Sequence, residues 1–479
     1  MGVLPRLLSI ILLSGLATLA VHGADPVPEN RAAFLTDEVA VGRARWGALA
    51  RENEEVFSMY FLWDGNRVGG AALAAHAEAA ERGARVRIIV EGLSSFDIGT
   101  LPKFLQPAAE AFMPPTRVSP AIMLALKNRG VEIRIFNAID PRNIRSLVPL
   151  RVNTRAHEKL SYFKGQRLAA LGDRNWQGIN FGLARKKSLV PTQSKVLGII
   201  PRTVTPSPNR VYRSAEGFVQ GPAAADVGAH LEDYWNDATL VSEPDLSKVT
   251  PDELATADRK LRRLGNVFKG KPIPQDVTEL MQPLAGRVEF IRSVPAGVRK
   301  LDGPETRLFA IIRNAKKNIT IASPYLTLTP RMKREVFAAM DRGVEVTFLS
   351  GAAHALDAEQ AGHTFALQAR QIIARGGKIH LHQGPELMHA KLIAVDVGTP
   401  QAVGGVLTHN FDAMSEYLNY ESGLLFHDPD YVRQISDFQN LMITQESRPF
   451  TMPKMTVIQR CIARSLLFIT DHVTRLRPR

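Results

Sequence analysis

"HAKLIAVD", residues 389–396, sets a histidine and a lysine two positions apart at the head of an apolar segment that closes on an aspartate. On an extended chain, side chains two apart face the same way, so His389 and Lys391 point to one side of what reads as a buried strand. An imidazole and an ammonium are expensive to bury together unless other groups compensate, and those groups must come from elsewhere in the chain. A counterpart exists: in "HEKLSYFKG", His157 and Lys159 stand at the same spacing ahead of a second apolar run.

The surroundings repeat as well. "AEAAERGARVRIIVEG" (77–92) reads as a helix ending at Arg82-Gly83, then a strand over Val86–Val90. "FAAMDRGVEVTFLSG" (337–351) repeats it, with Arg342-Gly343 and a strand over Val344–Leu349. Each is preceded by another strand, "VFSMYFLW" (56–63) or "NITIASPYL" (318–326). Each is followed by a second helix–Arg-Gly–strand unit, "LALKNRGVEIRIFN" (124–137) or "ARQIIARGGKIHLHQ" (369–383). Glycine after the last helical turn is a stop signal, and helices alternating with short β-branched strands predict an α/β sheet. Downstream of each His-x-Lys comes an asparagine, Asn175 in "LGDRNWQG" and Asn410 in "VLTHNFDAMS". A single His-x-Lys carries almost no information. Two, at equivalent points of a duplication and each followed by asparagine, carry a great deal.

The predicted organisation is therefore two similar α/β domains, 24–240 and 301–445, each a mixed sheet flanked by helices. Residues 241–300 are polar and charged, with helix-start signals at Thr250-Pro251 and Pro274, and read as a helical connector. Residues 446–479 form a basic amphipathic segment. In it Ile458, Ile462, Leu466, Ile469 and Val473 recur at helical spacing beside Arg460, Arg464, Arg475, Arg477 and Arg479. Such a helix suits an anionic membrane surface; docking on its own domain gives the same periodicity.

With 479 residues, 45% hydrophobic and 22% charged, the chain has material for large cores, which excludes a disordered protein. Residues 1–23 have the layout of a signal peptide, with Arg6 ahead of an apolar run shorter than the ~20 residues of a bilayer span. Cys461 is the one cysteine, so a monomer has no internal disulfide. Export without disulfides fits a bacterial envelope protein, periplasmic or secreted and peripheral to the membrane. The net charge of +13 favours anionic partners, phospholipid headgroups or nucleic acid. Only 7% of residues are aromatic, few for stacking bases along a groove, and that favours lipid. "RNIRSLVPLRVNTR" (142–155) offers Arg142, Arg145, Arg151 and Arg155 either as a solvated loop or as a rim for anionic headgroups.

Over roughly residues 45–440 the chain resembles the phospholipase D superfamily, in which two H-x-K-x4-D motifs meet across a pseudo-twofold interface to form one phosphodiesterase site. The C-terminal copy is complete in His389, Lys391 and Asp396. The segment that follows it, with Thr408, Asn410, Ser415, Asn419 and Glu421, is similar to the family's G-S-x-N…S-x3-N-x-E run. In the N-terminal copy, Lys164 occupies the aspartate position. The resemblance implies a cardiolipin synthase-like or phospholipase D-like enzyme acting on glycerophospholipids by ping-pong chemistry through a phosphohistidine, with no metal or other cofactor. It also implies a carboxylate for each histidine: Glu421 for His389, and Glu216 in "YRSAEGFVQGP" for His157, with Ser214 at the neighbouring acidic position. His157 is then the nucleophile and His389 the acid, later the base. Two alternatives share these residues: a secreted nuclease of the same chemistry, and a weakened, lipid-binding pseudoenzyme, for which Lys164 and Ser214 speak.

The chemistry itself demands such a pair. A phosphodiester repels nucleophiles and has a poor leaving group. One neutral imidazole must attack phosphorus while a protonated one donates to the leaving oxygen. Lysines and asparagines supply positive charge and N–H donors to the phosphate oxygens as charge builds.

Overall fold

The computed structural model of the chain describes residues 30–65, 67–95, 118–139, 154–181, 211–266, 276–296 and 299–472. The leader-like residues 1–23, the apolar run "TLPKFLQPAAEAFMPP" (100–115), whose sequence suits a lipid substrate, and Arg142, Arg145 and Arg151 lie outside them.

Both repeat units form. The helices Arg67–Glu81 and Pro330–Asp341 stop at Gly83 and Gly343, whose φ angles of 103° and 85° are inexpensive only without a Cβ. The strands that follow, Arg85–Glu91 and Glu345–Gly351, pair in parallel with the central strands Glu55–Tyr60 and Asn318–Ala322. The second units add Val131–Phe136 and Lys378–His382, again in parallel. On the other side of each central strand, Lys159–Phe163 and Leu392–Val395 run antiparallel to it. These are the strands that follow His157 and His389.

Among the described residues the first sheet has nine strands and the second has eight. The whole second sheet, in order Val288–Arg292, Ser422–Phe426, Val403–Leu407, Leu392–Val395, Asn318–Ala322, Glu345–Gly351, Lys378–His382 and Ser447–Pro449, has its counterpart in the first. That counterpart runs Arg31–Leu35, Glu216–Gln220, Leu168–Gly172, Lys159–Phe163, Glu55–Tyr60, Arg85–Glu91, Val131–Phe136 and Val241–Ser242, and Gln282–Pro283 adds an outer edge. The fold is thus the expected pair of α/β domains.

The segment 241–300 departs from a helical connector. Its helix Pro251–Gly265 is present, opened by a capping box between Thr250 and Glu253. Its strands, however, belong to the sheets: Val241–Ser242 and Gln282–Pro283 to the first, Val288–Arg292 to the second. Short strands at sheet edges carry few apolar residues, which is why the segment reads as a linker. The second sheet likewise runs past 445, to Ser447–Pro449.

One core serves both halves. Leu160, Leu171 and Val219 of the first pack in the same buried cluster as Leu392, Val406, Leu424 and Tyr431 of the second. The main chain also crosses the interface, at Ala156 with Tyr420 and at Leu387–Met388 with Tyr212–Arg213.

The motif aspartate and its loss now have a physical meaning. Asp396, in the left-handed region at φ 52°, accepts hydrogen bonds from Lys316 N (2.9 Å) and Lys317 N (2.7 Å), pinning the turn that feeds the central strand. Its own N–H donates to Asn318 O, as Lys164 N donates to Glu55 O, so Lys164 occupies the equivalent place. There the job has passed to Glu52, the buried residue that ends the helix Glu38–Arg51. Its carboxylate accepts from Asn53, Glu54 and Glu55 N at 2.8–3.3 Å and from Gly165 N (3.1 Å) and Gln166 N (3.3 Å). Lys164 itself is exposed. Glu52→Ala should therefore cost about 1–3 kcal/mol in urea unfolding, because it removes the one buried acceptor that these partly buried amides share. Lys164→Asp should leave stability within about 0.5 kcal/mol of the parent in the same measurement.

Candidate active site

Each histidine is held by the backbone of the opposite half. His157 N donates to Tyr420 O (2.9 Å), and His389 N donates to Arg213 O (3.1 Å). The residue after Tyr420 is Glu421, and the crossing delivers its carboxylate to His157: Nδ1 lies 3.1 Å from both carboxylate oxygens. Glu421 is fixed in turn by Thr408 Oγ1 and Ser415 Oγ, each donating at 2.7 Å. This corrects the sequence pairing of Glu421 with His389. A carboxylate near one motif in sequence serves the other motif's histidine, because the strands interleave.

Glu216 is corrected too. Its buried carboxylate forms a bidentate ion pair with Arg45, at 2.5 and 2.6 Å, and Arg45 lies over the rings of Tyr60 and Trp176. It braces the first sheet against the helix Glu38–Arg51 and does not reach His157. The carboxylate that faces His389 is Asp173, with Oδ1 3.8 Å from Nδ1: ion-pair range, beyond hydrogen-bonding distance. Sequence reasoning passed over it. The signal was present in the duplication, since "GDRN" aligns with "LTHN" and sets Asp173 against Thr408.

The lysines mirror one another. Lys159 Nζ donates to His157 O (2.5 Å) and Lys391 Nζ to His389 O (2.9 Å). Each histidine also rests on an aromatic ring. Phe61 meets His157 edge-on at 5.0 Å, and Tyr212 stacks on His389 at 4.2 Å. Asn175 Oδ1 accepts from Leu62 N (3.0 Å), which leaves its amide N–H groups as donors. Asn410 N donates to Ser415 Oγ (3.1 Å). The buried Oδ1 atoms of Asn410 and Asn419, and both ring nitrogens of His409, have no hydrogen-bond partner among the described residues. Asp396, as described above, supports the turn behind the site. Arg155 is not a rim residue: it is buried, 3.0 Å from Glu91.

Burial dominates the electrostatics. It pushes His157 below the ordinary imidazole range, with Glu421 opposing. Burial and then the Lys391 ammonium take His389 down to about 4, with Asp173 opposing. Burial also lowers Lys391, and lowers Lys159 far more. For Glu421 burial acts upward, but His157 and Lys159 outweigh it and bring the carboxyl down to about 2, so it is firmly ionised. The charge of Lys391 acts on His157 and Lys159, and that of Asp173 on Lys159 and Lys391, so the two halves form one electrostatic unit. Two histidines each faced by a carboxylate, two depressed lysines and the amides of Asn175 and Asn410 form an arrangement that can hold an anion and exchange a proton on either side of it.

Fold and site together are similar to those of proteins with a phospholipase D-like domain. Residues 308–442 match the family described as cardiolipin synthase, PLD-like domain. Cardiolipin synthase A of Buchnera aphidicola subsp. Acyrthosiphon pisum is 30% identical over 138 residues, which cover 29% of this chain and 27% of that protein. Cardiolipin synthase C of Escherichia coli K12 is 20% identical over 458 residues, covering 88% of this chain and 85% of that one. The crystal structure of phosphatidylserine synthase from Haemophilus influenzae Rd KW20 shares the fold, with a TM-score of 0.59 over 94% of this chain and 95% of that one at 12% identity.

Because the free site holds its histidines and lysines below their ordinary pKa, a bound anion must raise them and draw protons in. Calorimetric titration with diethyl phosphate, which does not ionise near neutrality, should therefore show proton uptake at pH 7.5. The observed heat should vary with buffer ionisation enthalpy, and the uptake should shrink in Lys391→Met.

Proposed function

We propose that the chain is a phospholipase D-like phosphodiesterase and phosphatidyltransferase of glycerophospholipids, similar in reaction to cardiolipin synthase. The observation that carries this reading is the crossed pair of buried histidines, each faced by a carboxylate from the opposite half, with a lysine beside each. The similarity to cardiolipin synthases supports the choice of lipid.

In this reading His157 donates Nδ1–H to Glu421, which frees the Nε2 lone pair to attack phosphorus. The phosphorus–oxygen bond to the departing alcohol breaks, and His389, protonated in the presence of the anionic substrate, gives that oxygen its proton. The phosphatidyl-imidazolium on His157 carries a fixed positive charge, and the ionised Glu421 is placed to balance it. The neutral His389 then takes a proton from an acceptor alcohol or from water, whose oxygen attacks phosphorus and restores His157. Lys159, Lys391, Asn175 and Asn410 stabilise the non-bridging oxygens. An alcohol acceptor gives transfer and water gives hydrolysis.

The helix Val457–His472 supports a membrane-bound substrate. It packs against Glu359–Ile373, buries Ala463 and Thr470, and leaves Val457 (77%), Ile458 (51%) and Phe468 (62%) exposed near the exposed Arg460 and Arg464. Leu466, expected on the same apolar stripe, is also partly exposed, while the side chain of Ile469 and all of Val473 fall outside the described residues. No described helix is long and apolar enough to cross a membrane. We read this face as a peripheral contact with an anionic bilayer.

The test is turnover of phosphatidylglycerol vesicles by the purified chain in EDTA, with supercoiled DNA assayed in parallel. Cardiolipin or phosphatidic acid should form, and His157→Ala and His389→Ala should each reduce the rate about a thousandfold or more. DNA cleavage that depends on both histidines, without lipid turnover, would replace this reading with a nuclease. Ile458→Asp with Phe468→Asp should lower co-sedimentation with phosphatidylglycerol vesicles at least about tenfold, while turnover of a soluble short-chain lipid stays within about twofold.

A further inference from the structure

Backbone register fixes which residues of the two halves correspond. His157 N reaches Tyr420 O as His389 N reaches Arg213 O, so the next residues, Glu421 and Ser214, hold the same place. Gly172 pairs with Glu216 as Leu407 pairs with Gly423, so Asp173 corresponds to Thr408, and Glu216 to Gly423. Where His157 is given the carboxylate of Glu421, His389 is offered only the hydroxyl of Ser214. Where the second half has the hydroxyl of Thr408, the first has the carboxylate of Asp173. Hydroxyl and carboxylate have exchanged seats between the halves.

The other acids near His389 are committed elsewhere. Glu216 is locked on Arg45. Asp357 accepts from Tyr212 Oη (2.7 Å) and from Tyr325 Oη, which holds the Tyr212 ring flat on the imidazole. Asp173 Oδ2 accepts a long bond from Ala215 N (3.4 Å), while its Oδ1 and the His389 Nδ1 it faces have no hydrogen-bond partner among the described residues.

We propose that Asp173 is the positioning carboxylate of His389, working from the seat that Thr408 holds in the other half, and that Ser214 fills the seat it replaces. Asp173 acts through the imidazole and not on substrate: it keeps the Nδ1–H tautomer and steadies the imidazolium in the acid step. The charged and titratable groups around His389 are Lys391 beside it, Asp173 with Arg174 behind, and Tyr212 with Asp357 on the stacked face. Of these only Asp173 aims an acceptor at Nδ1.

The kinetic arm of the test rests on the two-histidine reading above, and the spectroscopic arm does not. Nitrogen-15 spectra of histidine-labelled full chain at pH 7.5, with the signal assigned by His389→Gln, should show the Nδ1–H tautomer of His389. Asp173→Asn should shift that population toward Nε2–H, while His157 keeps its own tautomer. Vesicle turnover in Asp173→Asn should fall about a hundredfold, with the alkaline limb of kcat moving to lower pH by about 1 pH unit. Asp173→Thr with Ser214→Glu copies the other half's arrangement and should return both the tautomer and the limb toward the parent. An unchanged tautomer in Asp173→Asn overturns the proposal, even if the parent turns over no lipid. If Asp173→Asn does not fold, the exchange variant decides: a His389 there without the Nδ1–H tautomer overturns it.

Discussion

The backbone hydrogen bonds that cross from one half to the other set the rest of the site. His157 N–H on Tyr420 and His389 N–H on Arg213 fix each histidine to the partner half before any side chain is considered. Glu421 reaches His157 because Tyr420 is already there, and Tyr212 lies on His389 because Arg213 is already there. Burial then lowers the basicity of every cation in the cleft, and the crossing brings the carboxylates that counter it.

The two carboxylates that moved follow one logic. Glu52 replaces an aspartate missing from the first motif by reaching the same turn from the end of a helix instead of from the strand. Asp173 faces His389 from a seat two residues before the repeated asparagine, where the other half has Thr408. In each case the oxygen atoms arrive where the backbone needs them, although the residue that brings them differs. A motif written as a string of letters records the residue and misses the oxygen.

That difference explains what was legible in the sequence. The duplication, the sheet elements and the His-Lys-Asn order could be read because periodicity and spacing are local. The pairing of Glu421 with His157 could not, because it depends on which half's strand crosses the interface. Glu216 misled because a shift of two positions keeps strand parity and the same face, yet here it brings the side chain to Arg45. The connector misled because two- and five-residue edge strands have too little apolar pattern to separate from a linker. Arg155, grouped by sequence with a basic loop, is folded onto Glu91 instead.

The crossed pairing bears on how the chain comes into being. His157 and Glu421 are far apart in sequence, as are His389 and Asp173, so a ribosome releases the first half long before the carboxylate of its own histidine exists. Until the halves dock, His157 has no Glu421 to set its tautomer, and Lys159 is not yet in the cleft whose burial lowers its basicity. Each carboxylate–histidine pair is completed only when the two halves meet, so neither half alone holds the finished site.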